Sequence, residues 1–351
     1  MFAITKERPE RGVWDNEVAE APPPGFGEVR IGVAKAGICG TDYHIYSWDP
    51  WSAGRVRPPL TMGHEFVGQV DAVGAGVGHI EIGDRVSCES HIACGHCGQC
   101  RTGRAHLCAN TQIIGVDRAG CFTEAITVPA VNVWKVHPDI PNHHAAVFDP
   151  VGNAMHTATA IGVTGRDVLI VGAGAIGLFA IAIARAHGAR SITVQEPNSY
   201  RAELAGEIGA DLVLDPGDLD AMARWRERPT EWRPDAVLEM SGHGPAINAA
   251  LKDARNGADV SLLGLAPGPV EINLSEDVIM RGLTLHGITG RRMFETWYEV
   301  EAFMLQAPDL MDKVVTHVMP AREYAKGFQL MDQGACGKIV LDFASMQGRA
   351  A

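Results

Sequence analysis

The sequence predicts two domains of the α/β class: a β-rich region over residues 1 to about 150, followed by a doubly wound parallel sheet from about residue 153. Three observations predict this. A chain of 351 residues is too long for one small core. The first part is built of short alternating runs, such as 28–34 and 65–73, separated by Gly, Pro and Asp turns. Beyond residue 153, short apolar runs alternate with helical stretches, the pattern of parallel strands joined by crossover helices.

The second region reads in order. Residues 168–171 form a strand that enters a Gly-rich turn and a helix over 175–187. A strand at 191–195, a helix at 201–209 and a strand at 211–214 follow, and 236–240, 259–263 and 283–288 continue as strands. The charged, Trp-containing segment 216–234 reads as a surface helix and loop. From about residue 291 the tail carries one clear helix, 295–306, and a last strand, 338–343.

Composition narrows the function. Hydrophobic residues make up 46% and charged residues 21%, as in ordinary globular proteins. A formal charge of −12, with no Lys/Arg-rich run, disfavours nucleic acid as a partner. The first ten residues lack the apolar core of a secretory signal. The long apolar stretch 168–186 is broken by Gly and Arg185, so a membrane span is not expected and the expected location is the cytoplasm.

Seven of the eight cysteines fall before residue 122, a clustering that points to metal rather than to disulfides. Cys94, Cys97, Cys100 and Cys108 can place four thiolates tetrahedrally around one Zn²⁺, with glycines 95, 98 and 103 letting the loop bend. Such a site has no open coordination position and is structural. Residues 172–177 form a Gly-x-Gly-x-x-Gly turn between strand and helix. Gly172 permits the tight turn, Gly174 lets the backbone approach a pyrophosphate, and Gly177 lets helix and strand pack closely. The helix N-terminus offers free N–H groups to phosphates. Glu196, at the end of the next strand, can accept from both ribose hydroxyls and would repel a 2′-phosphate, which favours NAD over NADP; Arg201 nearby blunts that preference.

Cys39 and the Gly63-His64-Glu65 segment supply a thiolate and an imidazole of the kind zinc prefers. Glu65 is placed to ligate or to act from behind the ligands, and Asp149 is a further candidate oxygen ligand. An open zinc site would lower the pKa of a bound hydroxyl and stabilise the developing alkoxide, while a nicotinamide accepts the hydride. Thr41 and His44 follow Cys39 by two and five residues. A hydroxyl beside the zinc ligand, passing a proton through cofactor ribose to an imidazole near solvent, would drain the alcohol proton from a dry site. His91, just before the four-cysteine lobe, is a weaker candidate for shaping the substrate pocket.

Together these motifs, in this order, resemble the zinc-containing medium-chain dehydrogenases, and the likeness covers nearly the whole chain. The stretches 39–52, 148–158 and 290–298 are the most specific, and they resemble the branch of that family acting on L-threonine. The resemblance implies a GroES-like catalytic domain over 1–152 and 291–351, with a zinc lobe at about 88–110, interrupted by a Rossmann domain over 153–290. It implies one catalytic zinc on Cys39, His64 and Glu65, with Asp149 near enough to ligate or affect catalysis, one structural zinc, and Thr41 and His44 as relay. It implies NAD contacts at Ile176, Glu196, Arg201, Leu263, Gly264, Leu265, Ile288 and Thr289, although Thr289 stands where an aromatic residue often occurs and Asp149 where some members carry Glu. It implies a homotetramer and, for the unstable 2-amino-3-oxobutanoate product, a transient partner in 2-amino-3-ketobutyrate CoA ligase. Two other functions remain open on the sequence: a polyol or vicinal-diol dehydrogenase of the same architecture, and a non-catalytic NAD-binding scaffold. The intact Cys39/His64/Glu65 set argues against the scaffold.

Overall fold

The computed structural model describes residues 1–344; residues 345–351 of the expected tail lie outside them. The longest strand, Glu28–Ile38, alternates buried and part-exposed positions over its first half, as one face on a core requires. It pairs antiparallel with Glu65–Val73, Ala125–Pro129 and Ile339–Asp342. Ile339–Asp342 pairs in parallel with His317–Pro320, so two strands from the end of the chain complete a seven-stranded sheet begun near its start. The sequence predicts the last strand but not His317–Pro320, whose four residues end in proline.

The second sheet contains every expected strand. Its order is Leu212–Leu214, Ser191–Gln195, Asp167–Val171, Ala236–Glu239, Asp259–Leu262 and Thr284–Gly287, all parallel. By sequence position that is 3-2-1-4-5-6, the doubly wound order whose crevice lies at the carboxyl ends of the strands. After Asp167 the central strand is apolar, because both its faces are covered. Val168 and Ile170 join one core cluster, Leu169 and Val171 the other.

The first of those clusters also reaches back to Val67 and Val136 and forward to Trp297 and Val300. Its centre is the helix Phe148–Ile161, which packs on Ala175–Ala186 on one side and Glu295–Gln306 on the other. This helix runs without a break across position 152/153. Helices Gly244–Asp253, Pro308–Val314 and Tyr324–Gln333 are likewise additional to the sequence reading. The expected helix at 201–209 begins earlier, at Ser199, because the Asn198 side chain accepts from Arg201 N and caps it. Among the described residues no helix is long and apolar enough to cross a membrane.

Within the glycine turn, a Cβ on Gly177 would sit 2.1 Å from Gly172 O, so the helix rests directly on the turn that precedes it. Gly177→Ala is therefore expected to cost about 1–3 kcal/mol through overpacking, read as a lowered Tm. A variant that melts with the parent would show that this approach is not maintained in solution.

Candidate active site

Strand register brings the first group of side chains together. Gly37 stands opposite Glu65, and Ile38 opposite Ile339, so Cys39, Glu65 and Lys338 all leave the ends of adjacent strands. The ligand atoms of Cys39, His64 and Glu65 lie within 4.8 Å of one another. Gly37 makes room for them, since a Cβ there would fall 2.1 Å from Glu65 Oε2. His64 and Glu65 are buried, and His64 Nδ1 and Glu65 Oε1 have no hydrogen-bond partner.

Two residues without a sequence-stated role organise this cluster. Asp42, fully buried, accepts from Cys39 N at 2.9 Å and from Gly63 N at 3.2 Å, tying the two ligand-bearing segments to each other. Lys338 Nζ, also buried, lies 2.5 Å from Glu65 Oε2 and donates to Ile38 O at 2.8 Å. Burial presses the His64 pKa down, but the Cys39 and Asp42 charges outweigh it and raise it to about 10. The negative field that holds a proton on His64 is one that a divalent cation would satisfy. A thiol, an imidazole and a carboxylate with vacant buried atoms are a donor set that fits zinc.

Asp149 does not belong to this converging set. Its Oδ2 accepts from Ser90 Oγ at 2.6 Å and its Oδ1 from Arg291 Nη1 at 2.8 Å. The Arg291 guanidinium is 1% exposed and also binds both oxygens of Glu89, with Nε to Oε2 at 2.8 Å. Glu89 further accepts from Trp297 Nε1 and from His91 N, each at 2.9 Å. Burial works to raise the Glu89 pKa, yet the Arg291 charge and hydrogen bonds hold it down at about 2. His91 is mostly buried beside this cluster, and burial followed by the Arg291 charge lowers its pKa. His91 Nδ1 lies 4.0 Å from Glu89 Oε1, which joins it to the Arg291 cluster.

Cys39 precedes the helix Gly40–Ser47, which carries Thr41 and His44 at a spacing of three, on one helix face. His44 is exposed, and its Nδ1 hydrogen-bonds Asp49 Oδ2 at 2.5 Å. Asp49 also caps the helix Pro50–Arg55 through Ser52 N. Burial opposes ionisation of Asp49, but the Ser52 amide and His44 keep its carboxyl below the usual range. No local motif marks Asp49 for this part.

The four expected lobe cysteines do meet: Cys97 Sγ is 3.5 Å and Cys94 Sγ 4.0 Å from Cys100 Sγ, and Cys94 N donates to Cys108 Sγ at 3.3 Å. All eight cysteines are free thiols. The amides of His96 and Cys97 lower the Cys94 pKa to about 6, while burial and the neighbouring thiols push Cys100 to about 12. Four thiols this close resist joint ionisation without a cation, so the lobe fits a fully ligated zinc. Gly95 and Gly103 take positive φ; Gly98 instead opens the short helix Gly98–Arg101.

The dinucleotide candidates line the carboxyl edge of the parallel sheet. Gly172 turns at φ +88°, and the space beside Gly174 is open to 4 Å, so the backbone there is accessible to a phosphate. Gly174 caps the helix Ala175–Ala186, with Ile176 half-buried in its first turn. Glu196 accepts from Ala173 N at 2.6 Å and Asn198 N at 2.9 Å, which brings its carboxylate against the fingerprint turn. Arg201 follows on the next helix, its Nε buried without a partner. Leu263 and Gly264 leave the end of Asp259–Leu262 with their amides on Glu239 O, and Leu265 is exposed. Ile288 and exposed Thr289 leave the end of Thr284–Gly287. Glu239, unremarked in the sequence, is buried at the same edge and accepts from Ser241 N and Gly242 N.

Comparison with known proteins follows this geometry. Residues 25–139 match the alcohol dehydrogenase GroES-like domain, and residues 175–306 match the zinc-binding dehydrogenase family. A protein of Symbiobacterium thermophilum described as L-threonine 3-dehydrogenase is 48% identical over 92% of this chain and 93% of its own length. The crystal structure of galactitol-1-phosphate dehydrogenase from Escherichia coli superposes with a TM-score of 0.89 at 27% identity, covering 97% of this chain and 100% of that one. The structure of 2R,3R-butanediol dehydrogenase from Bacillus subtilis superposes at 0.85 with 26% identity, covering 97% and 99%.

The buried cluster yields a stability test. Arg291→Met leaves Glu89 and Asp149 without their cation and is expected to cost about 3–5 kcal/mol in denaturant unfolding. Because the folded Glu89 pKa lies below its ordinary 4.5, its stabilisation is present above that pH and fades as pH falls toward about 2. Glu89→Gln should flatten the acid limb of the parent's stability curve; an unchanged limb would detach Glu89 from acid unfolding.

Proposed function

The chain belongs to the zinc-binding alcohol dehydrogenase family, and on that premise we propose that it oxidises L-threonine at its β-hydroxyl carbon, reducing NAD and giving 2-amino-3-oxobutanoate. The observation that carries the substrate is the 48% identity to an L-threonine 3-dehydrogenase over nearly the full length of both proteins. The chemistry rests on Cys39, His64 and Glu65, whose donor atoms converge within 4.8 Å.

Bound zinc supplies Lewis acidity toward the substrate hydroxyl, and NAD supplies the hydride acceptor. The protein's own residues do the rest. Cys39, His64 and Glu65 hold the catalytic metal, and Asp42 and Lys338 hold the ligand segments and the Glu65 carboxylate in place. Asp149 acts through Arg291 and Ser90 on the pocket wall. Thr41 takes part in proton removal, and His44, exposed and oriented by Asp49, delivers the proton to solvent. His91 bounds the substrate space beside Glu89. Gly172, Gly174, Ile176 and Gly177 receive the pyrophosphate at a helix N-terminus, and Glu196 takes the adenosine ribose. Arg201, Leu263, Gly264, Leu265, Ile288 and Thr289 complete the cofactor crevice. Cys94, Cys97, Cys100 and Cys108 hold a structural zinc. A division into 1–152 with 291–351 around 153–290 suits the way the terminal strands complete the first sheet. A cytoplasmic homotetramer, passing its labile product to 2-amino-3-ketobutyrate CoA ligase, belongs to the same proposal.

An NAD-reduction assay over L-threonine, L-serine, butanediols and sorbitol tests the substrate. L-threonine should give the highest kcat/KM, and Cys39→Ser should abolish turnover in a protein that remains folded. Preference for a diol or polyol would replace the substrate assignment, and turnover surviving in Cys39→Ser would remove the metal assignment.

The relay has its own test. His44→Gln should slow oxidation by about 10²–10⁴-fold, the range of general acid–base groups, with metal content unchanged. The variant's pH profile should also differ from the parent's. Equal rates and equal pH profiles would take His44 out of the proton path.

A further inference from the structure

Away from the site above, three metal-ligating side chains meet where two distant helices touch. His143 and His144 lie on the short helix Asn142–Ala145, which rests on the strands Glu28–Ile38 and Glu65–Val73. Asp312 lies on the helix Pro308–Val314, which packs on Ala175–Ala186 and Ser199–Ile208. His143 Nε2 is 3.1 Å and His144 Nε2 is 2.8 Å from the same oxygen, Asp312 Oδ1. All three ligand atoms fall within 4.8 Å of one another.

We propose that His143, His144 and Asp312 form a third metal site, taking a borderline divalent transition ion such as zinc. Two imidazoles and a carboxylate are a donor set for such ions. Metal–ligand bonds of roughly 2.0–2.2 Å place neighbouring ligand atoms roughly 2.8–3.5 Å apart, the spacing that both imidazole nitrogens already have from Asp312 Oδ1. His144 is buried and its Nδ1 has no partner, so the hydrogen bond of its ring runs through the nitrogen that faces Asp312. His143 and Asp312 have side chains 32% and 61% exposed, so an ion enters from solvent and water completes its coordination. With three protein ligands the site stays open, unlike the four-cysteine lobe. Its ligands come from an element seated on the first sheet and one seated on the helices of the second, so the ion would staple the two.

The test uses the untagged holoenzyme with its catalytic and structural zinc in place, dialysed against graded free Zn²⁺. The parent should take up one further equivalent per chain and gain Tm as it does so. His143→Ala and Asp312→Asn, which alter only part-exposed positions, should lose both the extra equivalent and the Tm gain while keeping turnover. A parent that saturates without the extra equivalent, or variants that retain it, would overturn the proposal. Neither readout depends on which alcohol the enzyme oxidises.

Discussion

Arg291 is a guanidinium with almost no access to water, and its burial is tolerable only because two carboxylates surround it. Removing such a charge from solvent is costly, so each of its donors must be met. Glu89 answers Nε and Nη2, Asp149 answers Nη1, and Ser90 Oγ accepts from Nη2 while donating to Asp149. The partners come from two parts of the chain, the segment leading into the cysteine lobe and the start of the helix Phe148–Ile161, and Arg291 joins both to the tail after the parallel sheet. The stem of Arg291 lies so close on that helix that a Cβ on Gly152 would be 2.5 Å from its Cδ. Trp297 closes the arrangement by donating to Glu89 and stacking on Phe148 at 5.2 Å. Neutralising the cluster with apolar groups would keep the packing, but it would lose the directional bonds that fix these segments relative to one another.

A second electrostatic constraint operates at the strand ends. Lys338 is held protonated against burial chiefly by Glu65, whose Oε2 it contacts at 2.5 Å. Asp42 answers two backbone amides rather than a cation. Cys39, Asp42 and Glu65 share this buried space with Lys338 and His64, and the Cys39 and Asp42 charges raise the His64 pKa against burial. A metal cation would take the place of that proton where the three ligand atoms converge.

Most of the architecture was legible because it is periodic or punctuated. The parallel strands are short apolar runs bounded by glycine or charge, and all six appear. The glycine turn and the four-cysteine lobe are local motifs whose spacing is their geometry, and both assemble as read. What was not legible depends on contacts across the chain. Phe148–Ile161 shows no one-sided apolar stripe, because ten of its fourteen residues are buried. Arg291 lies in a stretch that carried the family likeness, yet nothing local distinguishes a buried arginine from a solvated one. Asp42, Asp49, Glu89 and Lys338 are hidden for the same reason. Asp149 was read as a candidate zinc ligand on its residue type; its partners, Ser90 and Arg291, are 59 and 142 residues away.

The two terminal strands give the molecule a direction in time. Lys338 reaches back 300 residues to the carbonyl of Ile38, beside a carboxylate synthesised long before it. A chain emerging from the ribosome can fold its parallel sheet early, since those strands follow one another closely. Its catalytic sheet must wait, with an open edge, until His317–Pro320 and Ile339–Asp342 have been translated. Loop closure over that distance makes the active centre the latest part of the molecule to mature. A prematurely ended chain would thus lack the counter-charge of Glu65 and present an unpaired strand edge, a form that quality-control proteases are suited to recognise.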